Sequence, residues 1–204
     1  MSGPNQRGYH HGNLREALIG AALDMIGSRG LAGLAVAELA RAVGVSPAAP
    51  YRHFRDRNAL IAEVARQGFE RLTAALETAR ATGPAHPVAA LERCGRAYLA
   101  FAVAEPAAYE SMFQGGAETD PAVQTATDHA FAVLKRAADA ACALAAAPRP
   151  PALMVALHVW SMTHGVAGLF LNARRRLLPM SPDDLLEASL LLYLRSIGVA
   201  PPHP

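Results

Sequence analysis

LAVAELARAVGVSPAAPYRHFRDRNAL, residues 34–60, is the stretch that decides the fold. Within it Val36, Leu39, Ala40 and Val43 recur at i, i+3, i+4 and i+7, the mark of one apolar face on a short helix. Gly44 stops that helix, because glycine takes the left-handed conformation of a helix end without a Cβ penalty. Ser46-Pro47 then reads as an N-cap followed by proline at the first helical position, so a second short helix begins almost at once. Two helices joined by so tight a turn make a helix-turn-helix. The second carries Tyr51, Arg52, His53 and Arg55, with Arg57 just beyond. Cations and a phenol on one small surface suit contact with phosphates and a nucleic-acid groove.

These residues resemble the TetR family of bacterial one-component transcriptional repressors. The family pattern sets an alanine in the first helix, then Gly-Val-Ser, three variable residues, an apolar residue, Tyr-x-His-Phe, and a basic residue three positions on. Here it stands as Ala40, Gly44-Val45-Ser46, Pro47-Ala48-Ala49, Pro50, Tyr51-Arg52-His53-Phe54 and Arg57. Two departures matter. A threonine that often caps the first helix is Ala35, which removes a cap. The apolar residue before the tyrosine is Pro50, which disfavours helical geometry at Ala49 and removes a backbone donor, so the recognition helix is expected to start irregularly. Carried over position by position, Pro47, Ala48, Ala49 and Arg52 would face the groove beside the capping Ser46, while Tyr51, His53 and Arg57 would touch phosphates or fix the helix. Pro47, Ala48 and Ala49 have no hydrogen-bonding side chain, so their readout is van der Waals contact, above all with thymine methyls.

Outward from that stretch, composition sets bounds. A chain of 204 residues that is 52% hydrophobic and 18% charged buries a real core. Charge is uneven: residues 1–66 hold eight arginines against five acids, while the rest carries a slight acidic excess. Polyanion binding therefore belongs to the N-terminal third. Cys94 and Cys142 fit no metal spacing and read as small buried residues. No basic-then-apolar leader and no run of 18 uncharged apolar residues is apparent, so the expectation is a cytoplasmic protein without a membrane span.

Residues 1–12 are polar and glycine-rich, a flexible arm in which Arg7 suits insertion into a minor groove. His10 and His11, adjacent in that arm without further ligands, make a poor metal site, and neither a metal nor a cofactor is expected. Asn13 and Glu16 resemble a capping pair for a first helix ending at Gly30. A long helix follows from about Asp56 to Ala81, and ATGPAHP at 81–87 breaks it. Val88 to Ala102 marks another helix, stopped before Pro106. A shorter piece carries Tyr109, Met112 and Phe113. Asp120-Pro121 opens a helix read as running to Ala147. Residues 152–173 are apolar on two sides, one stripe through Met154, Leu157, His158, Ser161, Gly165, Gly168 and Leu169 and another through Val155, Val159, Met162, Val166 and Phe170. Ser181-Pro182 starts the last helix. With no persistent alternation the chain is all-α. Residues 13–60 form a three-helix DNA-binding domain, 61–199 a larger ligand-binding and dimerisation domain, and 200–204 a disordered tail.

The TetR resemblance extends into the second half through Trp160-Ser161-Met162-Thr163-His164-Gly165 and the opening Tyr9-His10-His11-Gly12-Asn13-Leu14-Arg15, both similar to the WHG-type subgroup. It implies that the last two long helices pair with their copies in a homodimer. Gly165 and Gly168 would allow close approach, with Leu169, Leu186, Leu190, Tyr193 and Leu194 beside them. It also implies an effector cavity, for which the candidates are Tyr98, Phe101, Tyr109, Met112, Phe113, Phe131, His158, Met162 and His164. Taken singly, each fits plain core better than a cavity wall. Trp160 and His164, four residues apart, share a face and either clamp a ligand or pack on each other. The implied function is a repressor released from a palindromic double-stranded DNA operator by an apolar or weakly polar small molecule. Two rivals stand beside it: an all-helical enzyme using His158 or His164, for which no nucleophile motif or phosphate loop is present, and a DNA-binding protein without an effector.

Overall fold

The computed structural model describes residues 14–114, 116–145, 148–171 and 179–199. Among these, eight α-helices follow one another: α1 (Leu14–Arg29), α2 (Val36–Ala42), α3 (Arg57–Ala81), α4 (Pro87–Ala104), α5 (Pro106–Gln114), α6 (Pro121–Cys142), α7 (Ala152–Leu171) and α8 (Pro182–Ser196). Short 3₁₀ turns occupy Leu31–Gly33, Pro50–Arg52 and Ala117–Thr119. Asn13, Arg7, the histidine pair, Arg174 to Arg176 and the tail lie outside the described residues.

Local chemistry sets most helix ends. Asp56 accepts a hydrogen bond from the Ala59 amide at 2.8 Å and so caps α3. Asp120 does the same for α6 through Ala122 at 2.8 Å, and Ser181 for α8 through Asp184 at 3.0 Å. At the end of α2 the Val45 amide reaches Ala40 O at 2.9 Å and the Gly44 amide reaches Arg41 O at 3.2 Å. This paired closure needs the positive φ of 75° that Gly44 supplies.

The 25-residue α3 is the spine. At 1.5 Å per residue it spans about 37 Å, packing on α1 at one end and on α4, α5 and α6 along the rest. Leu60, Ile61, Val64, Phe69, Leu72 and Leu76 are its buried side. Phe54 and Leu60 join Leu18, Ile19, Ile26 and Leu39 in closing the small N-terminal core. The thiols of Cys94 and Cys142 are buried and free; Cys94 donates to Leu76 O, and burial pushes its thiol up to about 11.

One expectation changes. Helix α6 ends at Cys142 and does not reach Ala147. The Leu144 and Ala145 amides turn back to Ala141 O and Cys142 O, three residues behind, as the chain approaches Pro148 and Pro150, where an α-helix would lack donors. Helix α7 is long and apolar enough by length and composition to cross a membrane, a test that the core helix of a folded domain also passes. Here its Val155, Val159, Val166 and Phe170 side is buried, and the helix packs on α4, α6 and α8.

Candidate functional site

The N-terminal head departs from the expected pair of helices. No regular α-helix follows Gly44 before α3; residues 47–53 form a turn that leads into the 3₁₀ segment Pro50–Arg52. Proline is the physical reason. Pro50 has no amide to offer Ser46 O, and the Ala49 amide takes that carbonyl instead at 2.9 Å. Arg52 and His53 then bond three residues back, to Ala49 O at 3.2 Å and Pro50 O at 2.9 Å. Ala49 itself is right-handed helical, with φ −63° and ψ −41°, despite preceding a proline.

This turn projects. Ser46, Pro47, Ala48, Tyr51, Arg52 and His53 are exposed, Ala49 is half-buried, and Pro50 and Phe54 anchor the segment in the core. Most nearby cations are engaged. Arg29 pairs with Glu38 at 2.6 Å, and Arg55 with Asp56 at 2.9 Å. Arg57 donates to the carbonyls of Leu34, at 2.9 Å, and Leu31. Of the two roles expected for it, touching phosphates or fixing the helix, these bonds show the second: Arg57 positions the head. Among the described residues of the head, Arg41 and Arg52 have guanidinium groups without a partner. The sequence reading did not single out Arg41, which lies on the first helix of the pair, before the recognition segment.

Behind the head, Arg15 of α1 donates to Glu63 of α3 at 2.7 Å and sits over the Phe54 ring at 5.2 Å. Glu63 also accepts from Arg66 at 2.9 and 2.7 Å and from Gln67 at 3.1 Å. The Arg66 bonds, helped by those from Arg15 against the opposing effect of burial, hold the Glu63 carboxyl down at about 2. This network fastens α1 to the spine.

The larger half gathers most of the expected ligand residues into one cluster of rings. Tyr109 lies 2.8 Å and Tyr98 3.1 Å from His164 Nδ1. A single lone pair on that nitrogen accepts one proton well. The shorter Tyr109 contact is the better placed of the two to donate to it, with Tyr98 held edge-on against Tyr109 at 6.0 Å between ring centroids. Burial holds the imidazole below its ordinary value, keeping it a neutral acceptor. Trp160 meets Tyr98 edge-on at 5.2 Å and Phe131 at 5.8 Å, and Phe113 meets His164 at 4.6 Å. Trp160 and His164 thus pack through shared neighbours. Phe101 is buried, Met162 is half-buried against the core, and Met112 lies over Gly68 of α3. His158 is not brought to the cluster: it bonds Tyr193 of α8 at 2.8 Å on the exposed side of α7.

A cleft of about 200 Å³ opens beside the cluster, walled by Phe69, Met112, Phe113 and Val123 with Glu118 and Asp128 at its polar edge. A larger cleft of about 430 Å³ lies between α3 and α6, where Arg66, Glu70, Thr73 and His129 stand beside the apolar Ala122 and Ala126. The sequence reading did not single out Phe69 or Val123 for a cleft, since spacing alone cannot distinguish a cleft wall from packing.

Of the residues expected at the dimer face, Gly165 and Leu169 are exposed and Gly168 half-buried on α7. Leu186, Leu190 and Leu194 are instead almost fully buried within the protomer. Gly95 of α4 brings α8 close, with Leu190 and Leu186 methyl groups 3.4 and 3.6 Å from where its Cβ would stand. The outward side of α8 carries Leu192, with Tyr193 half-buried beside it.

Comparison with known proteins agrees with this architecture. Residues 18–64 match the family described as bacterial regulatory proteins, tetR family. Residues 91–193 match the tetracyclin repressor-like C-terminal domain. No curated protein matches the chain. A solved structure of a protein of unknown function from Rhodococcus sp. RHA1 is 32% identical, with a TM-score of 0.81 over 95% of this chain and 100% of that one. The TetR family regulator PfmR from Thermus thermophilus is 22% identical, TM-score 0.68, over 87% and 97%. The fatty acid degradation regulator FadR from Bacillus halodurans shares the fold at 11% identity, TM-score 0.71, over 92% and 97%. With a family-typical head on residues 18–64 and a C-terminal domain covering half the chain, the protein belongs to the TetR family, DNA-binding regulators of transcription that work through a helix-turn-helix.

Proposed function

We propose that this chain is a homodimeric repressor that releases a near-palindromic operator when a small apolar or weakly polar molecule enters the cleft beside the ring cluster. The observation that carries this reading is the spine: α3 begins at the head with Arg57 and carries Phe69 into the cleft wall. Anything that shifts the spine at one end moves the head at the other. Half-sites must lie about 34 Å apart for two heads to enter successive major grooves on one DNA face, so a small pivot disengages one of them. The effector needs only to prefer the released geometry.

At each half-site Pro47, Ala48 and Ala49 read thymine methyls, Arg52 reads guanine or a phosphate, and Tyr51, His53 and Arg41 contact the backbone. The arm carrying Arg7 adds a minor-groove contact. The exposed side of α7, through Gly165, Gly168 and Leu169, joins the outward side of α8 in the dimer.

In vitro selection from a random duplex pool, followed by footprinting at two salt concentrations, tests this. A protected near-palindrome whose binding weakens steeply with salt is expected. Replacing thymine by uracil in the half-sites removes only the methyls and should weaken binding. Failure to select any sequence with a folded dimer would defeat the reading. A metabolite panel read by thermal shift then separates an effector-controlled repressor from one without an effector.

A further inference from the structure

The short helix α5 has two working faces. Tyr109, Met112 and Phe113 turn to the ring cluster and the cleft. Ala107 and Glu110, three residues apart, turn to the head: the Ala107 methyl lies 3.8 Å from where a Cβ of Gly27 would stand. Glu110 Oε1 accepts the Leu31 amide proton at 2.9 Å, across 79 residues of sequence. Leu31 opens the 3₁₀ segment that leads into α2, and its carbonyl is held by Arg57 of α3. One residue at the root of the helix-turn-helix is therefore gripped through both its amide and its carbonyl, by the helix that walls the cleft and by the spine.

We infer that Glu110 is the positioning residue through which the ring cluster sets the orientation of the DNA-binding head. The inference rests on the reading of the chain as an operator-binding dimer, and it names the route by which occupancy of the cleft reaches the DNA. Helix α5 is nine residues long and about 13 Å from end to end. A rotation that displaces Tyr109 from His164 or Phe113 from its wall must move the neighbouring Glu110. Release of the Leu31 amide then leaves Arg57 as the side chain that still ties the Leu31 backbone to the larger half. A carboxylate is not required for the tie, since an amide oxygen accepts the same bond; length and acceptor are.

The test uses the full-length dimer on its selected operator, with a series of duplexes in which the half-site spacing is changed by one base pair. The wild type is expected to lose about tenfold or more in affinity per step, Glu110→Ala to lose less than about threefold because its heads are no longer held in register, and Glu110→Gln to behave as wild type. A protein in which Glu110 merely adds stability would keep its spacing preference at lower melting temperature, and that result overturns the inference. Coupling is read separately. His164→Leu should shift operator affinity in the wild-type background and have no further effect in Glu110→Ala; equal shifts in both, or none in either, overturn it. Phe113→Leu replaces His164→Leu should the latter fail to fold. Hydrogen exchange at the Leu31 amide, which needs no DNA, should accelerate in Glu110→Ala and stay slow in Glu110→Gln. If the wild type selects no DNA, the repressor reading fails on its own account, and unchanged Leu31 exchange in Glu110→Ala removes the tie independently.

Discussion

Arg57 shows how hydrogen-bond partners select one of the roles that a sequence leaves open to a single side chain. The family resemblance leaves it to touch a phosphate or to fix the helix, and its guanidinium spans the carbonyls of Leu31 and Leu34. Arginine's planar fork suits two carbonyls at once, and lysine cannot reproduce it. Arg57→Ala is expected to cost about 2 kcal/mol, the scale of hydrogen bonds to a charged group, read as a lower urea midpoint at unchanged m-value. Arg57→Lys should recover little of that loss. Arg55→Ala should leave the midpoint where it is, because Arg55 is 88% exposed and pairs only with its neighbour. His164 gives the second residue-scale expectation. Its folded pKa lies below the ordinary histidine value, so its contribution is present above pH 6.5 and is lost as pH falls through the folded value. An NMR titration should place its midpoint below 6.5; a midpoint above it would mean that the imidazole is not held neutral in the cluster.

The helices α1, α3 and α8 were legible from sequence because their ends are written in local chemistry: Gly30 after α1, Asp56 before α3, and Ser181-Pro182 before α8. The recognition segment was legible in place but not in form. Ser46-Pro47 signals a helix start, and only the hydrogen-bond accounting around a second proline shows why 3₁₀ geometry prevails. Long-range ties were invisible, since nothing in the local pattern links Glu110 to Leu31 or Arg15 to Glu63. The last of these makes α3 acid-sensitive. Glu63 has its carboxyl lowered to about 2 from 4.5, so the stabilisation is complete above 4.5 and disappears as pH falls towards 2. Glu63→Gln should melt earlier than wild type at neutral pH, and the gap should narrow between pH 4.5 and 2. Parallel melting curves across that range would show that the Arg15 and Arg66 bonds do not set the carboxyl's charge.

At the level of the whole molecule, two leucines on α8 two residues apart face opposite fates. Leu190 is 2% exposed and packs against α4 at Gly95, whereas Leu192 is 70% exposed. Leu157 and Leu169 on α7 are also exposed, at 41% and 52%. Lone exposed leucines are ordinary, but several on the last two helices form the kind of apolar side that a second copy covers. The family resemblance marked Leu186, Leu190 and Leu194 for that interface, because a helix buried on one side and paired on another shows two apolar stripes and periodicity does not say which faces inward. Leu190→Ala should therefore cost about 2–5 kcal/mol of fold stability and leave the dimer intact wherever the chain is folded. Leu192→Glu should do the reverse, giving a folded monomer by sedimentation equilibrium whose operator affinity collapses because each head must then bind its half-site alone. A Leu192→Glu protein that remains dimeric, or a Leu190→Ala protein that dissociates before it unfolds, would place the interface on a different side of α8.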